Sequence, residues 1–151
     1  MTTICVYFLL NETQKMSYRG YTVNIQRRLR QHRKEIKGGA KYTRRFKKCK
    51  LLAYIDGFPS KRVAMSYEWC TKRQKLKCHK DMLRTSPLSA IHPKAPKFFA
   101  PLKMEKFKGL HHEVKIYLSP SYFNADTAAA LQTHYEVEVV LGTCDEPQEK
   151  R

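Results

Sequence analysis

The sequence predicts an α/β fold, in which a small mixed β-sheet opened by a hairpin is flanked by helices. Two β-prone runs, Thr3–Leu10 and Ser17–Thr22, are separated by a short polar segment that suits a hairpin turn. A third run, Leu51–Ile55, lies between two segments of helical character. The 151 residues, of which 42% are hydrophobic, suffice for one domain with its own core.

The first helix is predicted between the second and third strands. Asn24 suits the N-cap of a helix of about Ile25–Lys37, because its short side chain can accept a hydrogen bond from the first turn. Ile25 and Leu29 repeat at helical spacing and mark the inward face. Gly38 is expected to end this helix.

The remaining elements are predicted from caps and from short apolar runs. Ser60 is expected to cap a second helix of about Lys61–Lys75. Several prolines between residues 78 and 101 discourage long regular elements. Beyond them we expect a strand at Val114–Leu118, a short helix capped by Asp126 and a strand of about Tyr135–Leu141.

The basic residues are concentrated in the first two thirds of the chain. The net charge is +17, and residues 1–108 hold 27 Lys and Arg against 6 Asp and Glu, whereas residues 109–151 hold 3 against 7. A polyanion is the natural partner, because neutralising phosphates releases counterions. The alternatives are a solvated basic surface and one that meets acidic lipid, but no amphipathic or lipidation signal accompanies the charge.

Cysteine usage and hydropathy indicate an intracellular protein that does not enter a membrane. The five cysteines are scattered and include no C-x-x-C pair, which argues against a disulfide framework and a four-ligand zinc site. No apolar run approaches the roughly 20 residues that cross a bilayer. The first ten residues lack the basic leader of a signal peptide.

Glu68 is a candidate metal ligand. It is the only acid among the many basic residues between positions 57 and 80. A carboxylate in a phosphate-binding surface repels the ligand unless it holds a cation, and Mg²⁺ often takes only one or two protein carboxylates together with several waters. The alternative is an ordinary helix salt bridge to Lys72, four residues further on.

Arg28, His32 and three tyrosines are candidates for the chemistry. Arg28 and His32 are four residues apart and share one helix face, where a guanidinium could hold a phosphate and stabilise its transition state. The alternative is a solvated basic helix with a packed histidine. Tyr7, Tyr18 and Tyr42 could supply a base only if a metal or an arginine stabilised the phenolate, and the alternative is ordinary packing.

Taken together, these residues resemble the GIY-YIG nuclease domain over about Thr3–Lys75. The two half-motifs correspond to Cys5–Val6–Tyr7 and Tyr18–Arg19–Gly20, in which Arg19 replaces the usual isoleucine. Further strings are closer to the Slx-type structure-selective endonucleases. They are Tyr21–Thr22–Val23–Asn24, Arg27–Arg28–Leu29–Arg30–Gln31–His32, Gly38–Gly39–Ala40 with Thr43, Gly57–Phe58–Pro59–Ser60 and Tyr67–Glu68–Trp69.

The resemblance implies a divalent-metal-dependent DNA endonuclease that is structure-selective on branched DNA in repair or recombination. Glu68 would bind one Mg²⁺ or Mn²⁺. Tyr7 would deprotonate or position the attacking water, and Tyr18 would line the same pocket. Arg28 would hold the scissile phosphate, while His32 would support Tyr7 or the phosphate.

Residues around this site are expected to contact the DNA backbone instead of taking part in the chemistry. They are Arg27, Arg30, Tyr42, Arg44, Arg45, Lys47 and Lys48. For the basic segment that follows Tyr42, a solvated loop is the alternative.

Residues 1–80 are expected to form the catalytic core, residues 81–141 an extension packed on the same domain, and residues 142–151 a flexible acidic tail. Slx-type enzymes carry a C-terminal RING-like zinc domain, whose cysteine pairs do not occur in this sequence. A protein partner is therefore left open. Two other functions also remain open: a non-catalytic basic nucleic-acid-binding module with the same fold, and a structural protein of a nucleoprotein particle.

Overall fold

A computed structural model of the protein describes residues 3–11, 13, 16–46, 48–73 and 94–145. Its single sheet has five strands, which are β1 (Ile4–Leu10), β2 (Ser17–Thr22), β3 (Lys50–Phe58), β4 (Lys115–Leu118) and β5 (Glu138–Leu141). The order across the sheet is β2–β1–β3–β4–β5. Strand β1 is antiparallel to β2 and β3, β3 is antiparallel to β4, and β4 is parallel to β5.

Helices flank this sheet in the part of the chain that the structure describes. The α-helices are α1 (Ile25–His32), α2 (Lys61–Arg73), α3 (Ala95–Phe99) and α4 (Ala125–Tyr135). Short 3-10 helices cover Tyr42–Arg45, Ala100–Lys103 and Glu105–His112. The predicted α/β fold with a mixed sheet is therefore confirmed. Within the described ranges, no helix combines the length and the apolarity needed to span a bilayer.

The two faces of the sheet carry separate hydrophobic clusters, because alternate side chains of a strand point to opposite faces. Val6, Phe8 and Leu10 of β1 pack in a cluster with residues of α2, α3 and α4, and we call this side the α2 face. Tyr7 and Leu9 pack on the opposite side with residues of α1, and we call this the α1 face. Strand β1, which has a neighbour on each side, is buried on both faces from its second residue onward.

Two predicted N-caps are confirmed, but the first helix is shorter than predicted. The Asn24 side chain accepts from the Arg27 amide at 3.0 Å, and the Ser60 hydroxyl accepts from the Val63 amide at 3.2 Å. Helix α1 ends at His32 and not at Lys37. Lys34 has a φ of 64°, a left-handed conformation that cannot continue an α-helix.

The last helix and strand also differ from the prediction. Asn124, and not Asp126, caps α4, because its side chain accepts from the Thr127 amide at 2.8 Å. Helix α4 extends to Tyr135, and β5 begins only at Glu138. Asp126 lies in the first turn of α4. Its negative charge interacts favourably with the positive end of the helix dipole, while the cap itself is Asn124.

The C-terminal part contributes directly to the same sheet. Strand β4 pairs with β3, and β5 extends the sheet by one further strand. Gly142 and Thr143 are buried, and Asp145 forms an ion pair with Arg33 at 2.7 Å. Residues 74–93 and 146–151 lie outside the described residues. The division into a core of 1–80, an extension of 81–141 and a tail of 142–151 remains a prediction.

Candidate active site

The β1–β2 hairpin and α1 bring four of the predicted side chains together on the α1 face. Leu9 of β1 pairs with Tyr18 and Tyr7 pairs with Gly20, so both tyrosines emerge on the side where α1 packs. The ring centre of His32 lies 5.6 Å from that of Tyr7 and 5.0 Å from that of Tyr18. Arg28 lies one turn before His32 on the same helix.

Gly20 gives the Tyr7 ring the space that it occupies. A Cβ atom at Gly20 would lie 2.6 Å from the Tyr7 hydroxyl oxygen and 2.8 Å from its ring carbon Cζ. The glycine of the second half-motif is therefore required by close approach between two paired strands.

A chain of hydrogen bonds runs from Tyr7 through His32 to Thr43. The Tyr7 hydroxyl lies 2.8 Å from His32 Nε2, and His32 Nδ1 lies 2.7 Å from Thr43 Oγ1. Thr43 donates its own hydrogen to the Ala40 carbonyl at 3.0 Å, so it must accept from His32 Nδ1–H. A neutral His32 then holds a lone pair on Nε2, which accepts from the Tyr7 hydroxyl.

The electrostatic environment keeps His32 neutral and Tyr7 protonated. Burial, and then the positive charge of Arg28, lower the pKa of His32 to about 4. Burial raises the pKa of Tyr7 well above its usual value, and the negative charge of Glu68 adds to this rise. The hydrogen bond from Arg28 acts in the opposite direction and favours the phenolate.

Arg28 is held in a fixed orientation at the edge of this cluster. Its Nε donates to the Tyr7 hydroxyl at 3.3 Å, and its Nη1 donates to the Gln31 side chain at 2.8 Å and to the Gly38 carbonyl at 2.7 Å. Burial lowers the pKa of Arg28, but hydrogen bonds to Tyr7 and Tyr18 outweigh this effect and the net pKa is raised. A permanent positive charge therefore lies beside the Tyr7 hydroxyl.

Glu68 approaches the cluster from α2. Its carboxylate accepts from Lys72 Nζ at 2.6 Å, so the helix salt bridge considered as the alternative is present. Lys72 Nζ lies 5.7 Å from the centre of the Tyr18 ring, which joins this pair to the edge of β2. The side chain of Glu68 is 16% exposed, so the carboxylate is neither freely solvated nor enclosed.

Residues 3–81 match the family model of the GIY-YIG catalytic domain. The chain belongs to the GIY-YIG family. It is similar to the "Structure-specific endonuclease subunit slx1" of Schizosaccharomyces japonicus, with 36% identity over 89 residues, which cover 58% of this chain and 33% of the relative. The SLX1 homolog of Cryptosporidium parvum is 50% identical over 64 residues, covering 42% of this chain and 16% of the relative.

A third relative extends the similarity beyond the family domain. The "Structure-specific endonuclease subunit SLX1" of Phaeosphaeria nodorum is 32% identical over 124 residues, covering 74% of this chain and 34% of the relative. This chain therefore spans about a third or less of the length of these three relatives.

The donor set of this GIY-YIG domain fits a metal ion held by one carboxylate and water. Among the described residues, no group of three or more His, Cys, Asp or Glu could form a protein cage around an ion. The Glu68 carboxylate is a hard oxygen ligand, and Mg²⁺ often binds one such group while keeping several waters. The ammonium of Lys72 contacts Oε1 of the same carboxylate at 2.6 Å, so an ion would bind beside this ammonium or take its place.

An open basic groove extends from the cluster along the loop after α1. Its volume is about 660 Å³, and its walls include Gln31, His32, Gly39, Thr43 and Arg44. The predicted backbone-contact residues that lie exposed are Arg27, Arg30, Tyr42, Arg44, Arg45 and Lys48. The positive charge of Arg30 is partly compensated by an ion pair with Glu35 at 3.3 Å. Lys47 lies outside the described residues.

Tyr42 and two positioning residues complete the surroundings of the GIY-YIG cluster. The ring of Tyr42 stacks on that of Tyr18 with centres 6.4 Å apart. Thr43 and Gln31, which hold His32 and Arg28, were not among the predicted site residues. Their only sequence signal was their presence in the Slx-like strings, which gave them no role.

Proposed function

We propose that this chain is a divalent-metal-dependent DNA endonuclease that hydrolyses phosphodiester bonds. The observation that carries the proposal is the directed hydrogen-bond chain from Tyr7 through His32 to Thr43. It gives a proton a defined path away from the Tyr7 hydroxyl. A fixed cation, Arg28, and a lone carboxylate, Glu68, flank the start of that path.

The path suits the activation of a water molecule. As the water oxygen attacks phosphorus, Tyr7 Oη accepts the water proton while its own proton passes to His32 Nε2. The bond from phosphorus to the leaving oxygen breaks, and that oxygen takes a proton from solvent. The Thr43 oxygen remains hydrogen-bonded to His32 Nδ1–H throughout. Since a pKa of about 4 makes His32 a weak base, the transfer requires an acidified water, and a divalent ion at Glu68 would supply that acidity.

Arg28 supplies a fixed positive charge for the phosphate from the protein itself. Its guanidinium lies beside the Tyr7 hydroxyl and is aligned by Gln31 and Gly38, so little reorganisation accompanies charge development on the phosphate. A divalent ion at Glu68 would supply further positive charge and polarise the phosphate. Compensating the charge of Glu68 also removes one of the contributions that raise the pKa of Tyr7.

We further propose branched DNA as the substrate and Mg²⁺ or Mn²⁺ as the ion. The relatives are named structure-specific endonuclease subunits, and the open groove beside the cluster carries exposed basic residues on its rim. Such a surface contacts phosphates and reads the shape of DNA more than its sequence. The word "subunit" in those names also supports a protein partner, which we propose without identifying it.

The test is cleavage of labelled 5′-flap and four-way-junction DNA with Mg²⁺ or with EDTA. Wild-type protein should cut in Mg²⁺ but not in EDTA. The control variant Glu105→Gln should behave in the same way, because Glu105 is an exposed acid that pairs with Lys108 in a 3-10 helix. Glu68→Gln should bind both DNAs and cut neither. Cutting by Glu68→Gln at the wild-type rate, or in EDTA, would contradict the assignment of Glu68.

One observation favours a second function, that of a binding module that does not cut. Lys72 already neutralises Glu68 at 2.6 Å, as in a helix whose carboxylate has only a structural role. Such a module would bind DNA independently of Mg²⁺ and would be unaffected by Glu68→Gln. Tight binding without cutting in Mg²⁺ or Mn²⁺ would favour this second function.

A further inference from the structure

Arg19 lies on the opposite side of the edge strand β2 from the tyrosine cluster. It pairs with Phe8 across the β1–β2 ladder, and its guanidinium carbon lies 5.9 Å from the centre of the Phe8 ring. Phe8 belongs to the α2 face. Because side chains alternate along a strand, Tyr18 and Arg19 reach the two faces of the same edge strand.

The guanidinium of Arg19 has donors that the fold does not satisfy. Its Nε and Nη1 atoms are buried and have no hydrogen-bond partner among the described residues. A buried donor without a partner destabilises the folded protein, and more so when the group is charged. Burial lowers the pKa of Arg19, and the negative charge of Glu68 opposes this effect, so the two side chains interact electrostatically.

The surroundings of Arg19 include further positive charge. Burial lowers the pKa of Lys94, which precedes α3, and the charges of Arg19 and Lys97 lower it further. Lys72, on the adjacent helix α2, is already paired with Glu68. Converging cations with unsatisfied donors favour an anionic ligand, and a guanidinium can donate to a phosphate through two parallel hydrogen bonds.

We propose that Arg19 binds a backbone phosphate of DNA on the α2 face of β2, as a second phosphate position separate from the one at Arg28. A DNA strand that passes the edge of β2 would then be held on both sides of Glu68. The proposal rests on the proposed function only in taking DNA as the ligand. It does not require that the protein cuts.

The test compares Arg19→Met with Arg62→Met, which removes the same charge from an exposed position of α2. Binding of 5′-flap DNA is measured in EDTA over a series of salt concentrations, so that metal and cleavage play no part. Arg19→Met should bind about tenfold more weakly. The dependence of log K on log salt should become shallower by about 0.9, the value for one phosphate contact. Arg62→Met should retain the wild-type slope, and Arg19→Lys should recover it.

Thermal unfolding separates this role from a structural one. Arg19→Met should unfold at the wild-type temperature or above it, because the variant no longer buries two unpaired donors. A lower unfolding temperature, an unchanged salt slope or no binding of wild-type protein in EDTA would overturn the proposal. Cleavage lost in Arg19→Met with unchanged binding would also overturn it. The cleavage test with Glu68→Gln decides the proposed function independently.

Discussion

The fold controls the charge state of His32 through burial and two hydrogen bonds. The ring is 2% exposed and both its nitrogens are used, one by Tyr7 and one by Thr43. A charged imidazole would need to donate from both nitrogens and would also face the guanidinium of Arg28. The same contacts that prepare the proton path therefore make the folded protein sensitive to acid.

We expect His32 to make the free energy of unfolding fall between about pH 6.5 and pH 4. The pKa of His32 is lowered from 6.5 to about 4 in the folded protein, so the unfolded chain binds more protons in this window. Stability is fully present above about pH 6.5 and decreases as the pH falls towards 4, by about 3 kcal/mol in total. Urea unfolding at a series of pH values measures it.

The comparison with His32→Gln isolates this contribution from that of the carboxylates. The variant should be less stable at pH 7 but should show a shallower fall over the window. His112→Gln, which removes an exposed histidine, should keep the wild-type slope. Equal slopes for wild type and His32→Gln would show that the histidine does not titrate as argued.

At the scale of elements, the β1–β2 ladder determines which side chains can meet. Its register places Gly20 directly opposite Tyr7, and the tyrosine hydroxyl lies over the glycine. The two β-prone runs were sufficient to predict this hairpin, and the half-motifs within them indicated both tyrosines. They could not indicate that the Arg19 donors lack partners, because that depends on how α2 and α3 cover the other face.

Gly20→Ala should disturb the site through this ladder. A Cβ atom 2.6 Å from the Tyr7 hydroxyl forces the ring away from His32, so we expect cleavage to fall at least tenfold. The crowding should cost about 1–3 kcal/mol of stability. Gly109→Ala is the matched control, because nothing lies within 4 Å of its added Cβ. Wild-type cleavage by Gly20→Ala would contradict the assigned position of Tyr7.

The end of α1 shows where local sequence patterns cease to be informative. Asn24 was sufficient to predict the start of the helix, because a cap acts within one turn. The predicted end at Lys37 was wrong, because the chain turns back at Lys34 and brings the Gly38 carbonyl to Arg28 at 2.7 Å. That contact joins residues ten positions apart and has no helical periodicity to signal it.

At the scale of the whole molecule, the basic residues and the candidate catalytic residues lie in the same region. The catalytic candidates come from β1, β2, α1 and α2, and the exposed Arg44, in the segment after α1, lines the groove. The acidic excess lies in residues 109–151, which contain β4, α4 and β5. DNA approaching this surface should therefore be oriented before it makes close contact.

Replacing both Arg44 and Arg45 with Ala should weaken binding of 5′-flap DNA and lower its salt dependence. Each lost phosphate contact should reduce the slope of log K against log salt by about 0.9, while the cleavage rate at saturating protein stays within about twofold. Lys108→Ala with Lys115→Ala, two exposed residues of the C-terminal part, is the control for net charge. An unchanged slope in the Arg44/Arg45 variant would exclude these arginines from the DNA contact.

The candidate site is assembled from two parts that lie apart along the chain. The first part comes from one continuous stretch of residues 7–43, which contains Tyr7, Tyr18, Arg28, His32 and Thr43. The second part is Glu68 on α2, which follows β3 in the chain. Short loops close at lower entropic cost than long ones, so the hairpin and α1 form the more local part of the fold. During synthesis, residues 7–43, which include Arg28, leave the ribosome before α2 does. A nascent chain at that stage carries the proposed phosphate-binding groups but not yet Glu68, the proposed metal ligand.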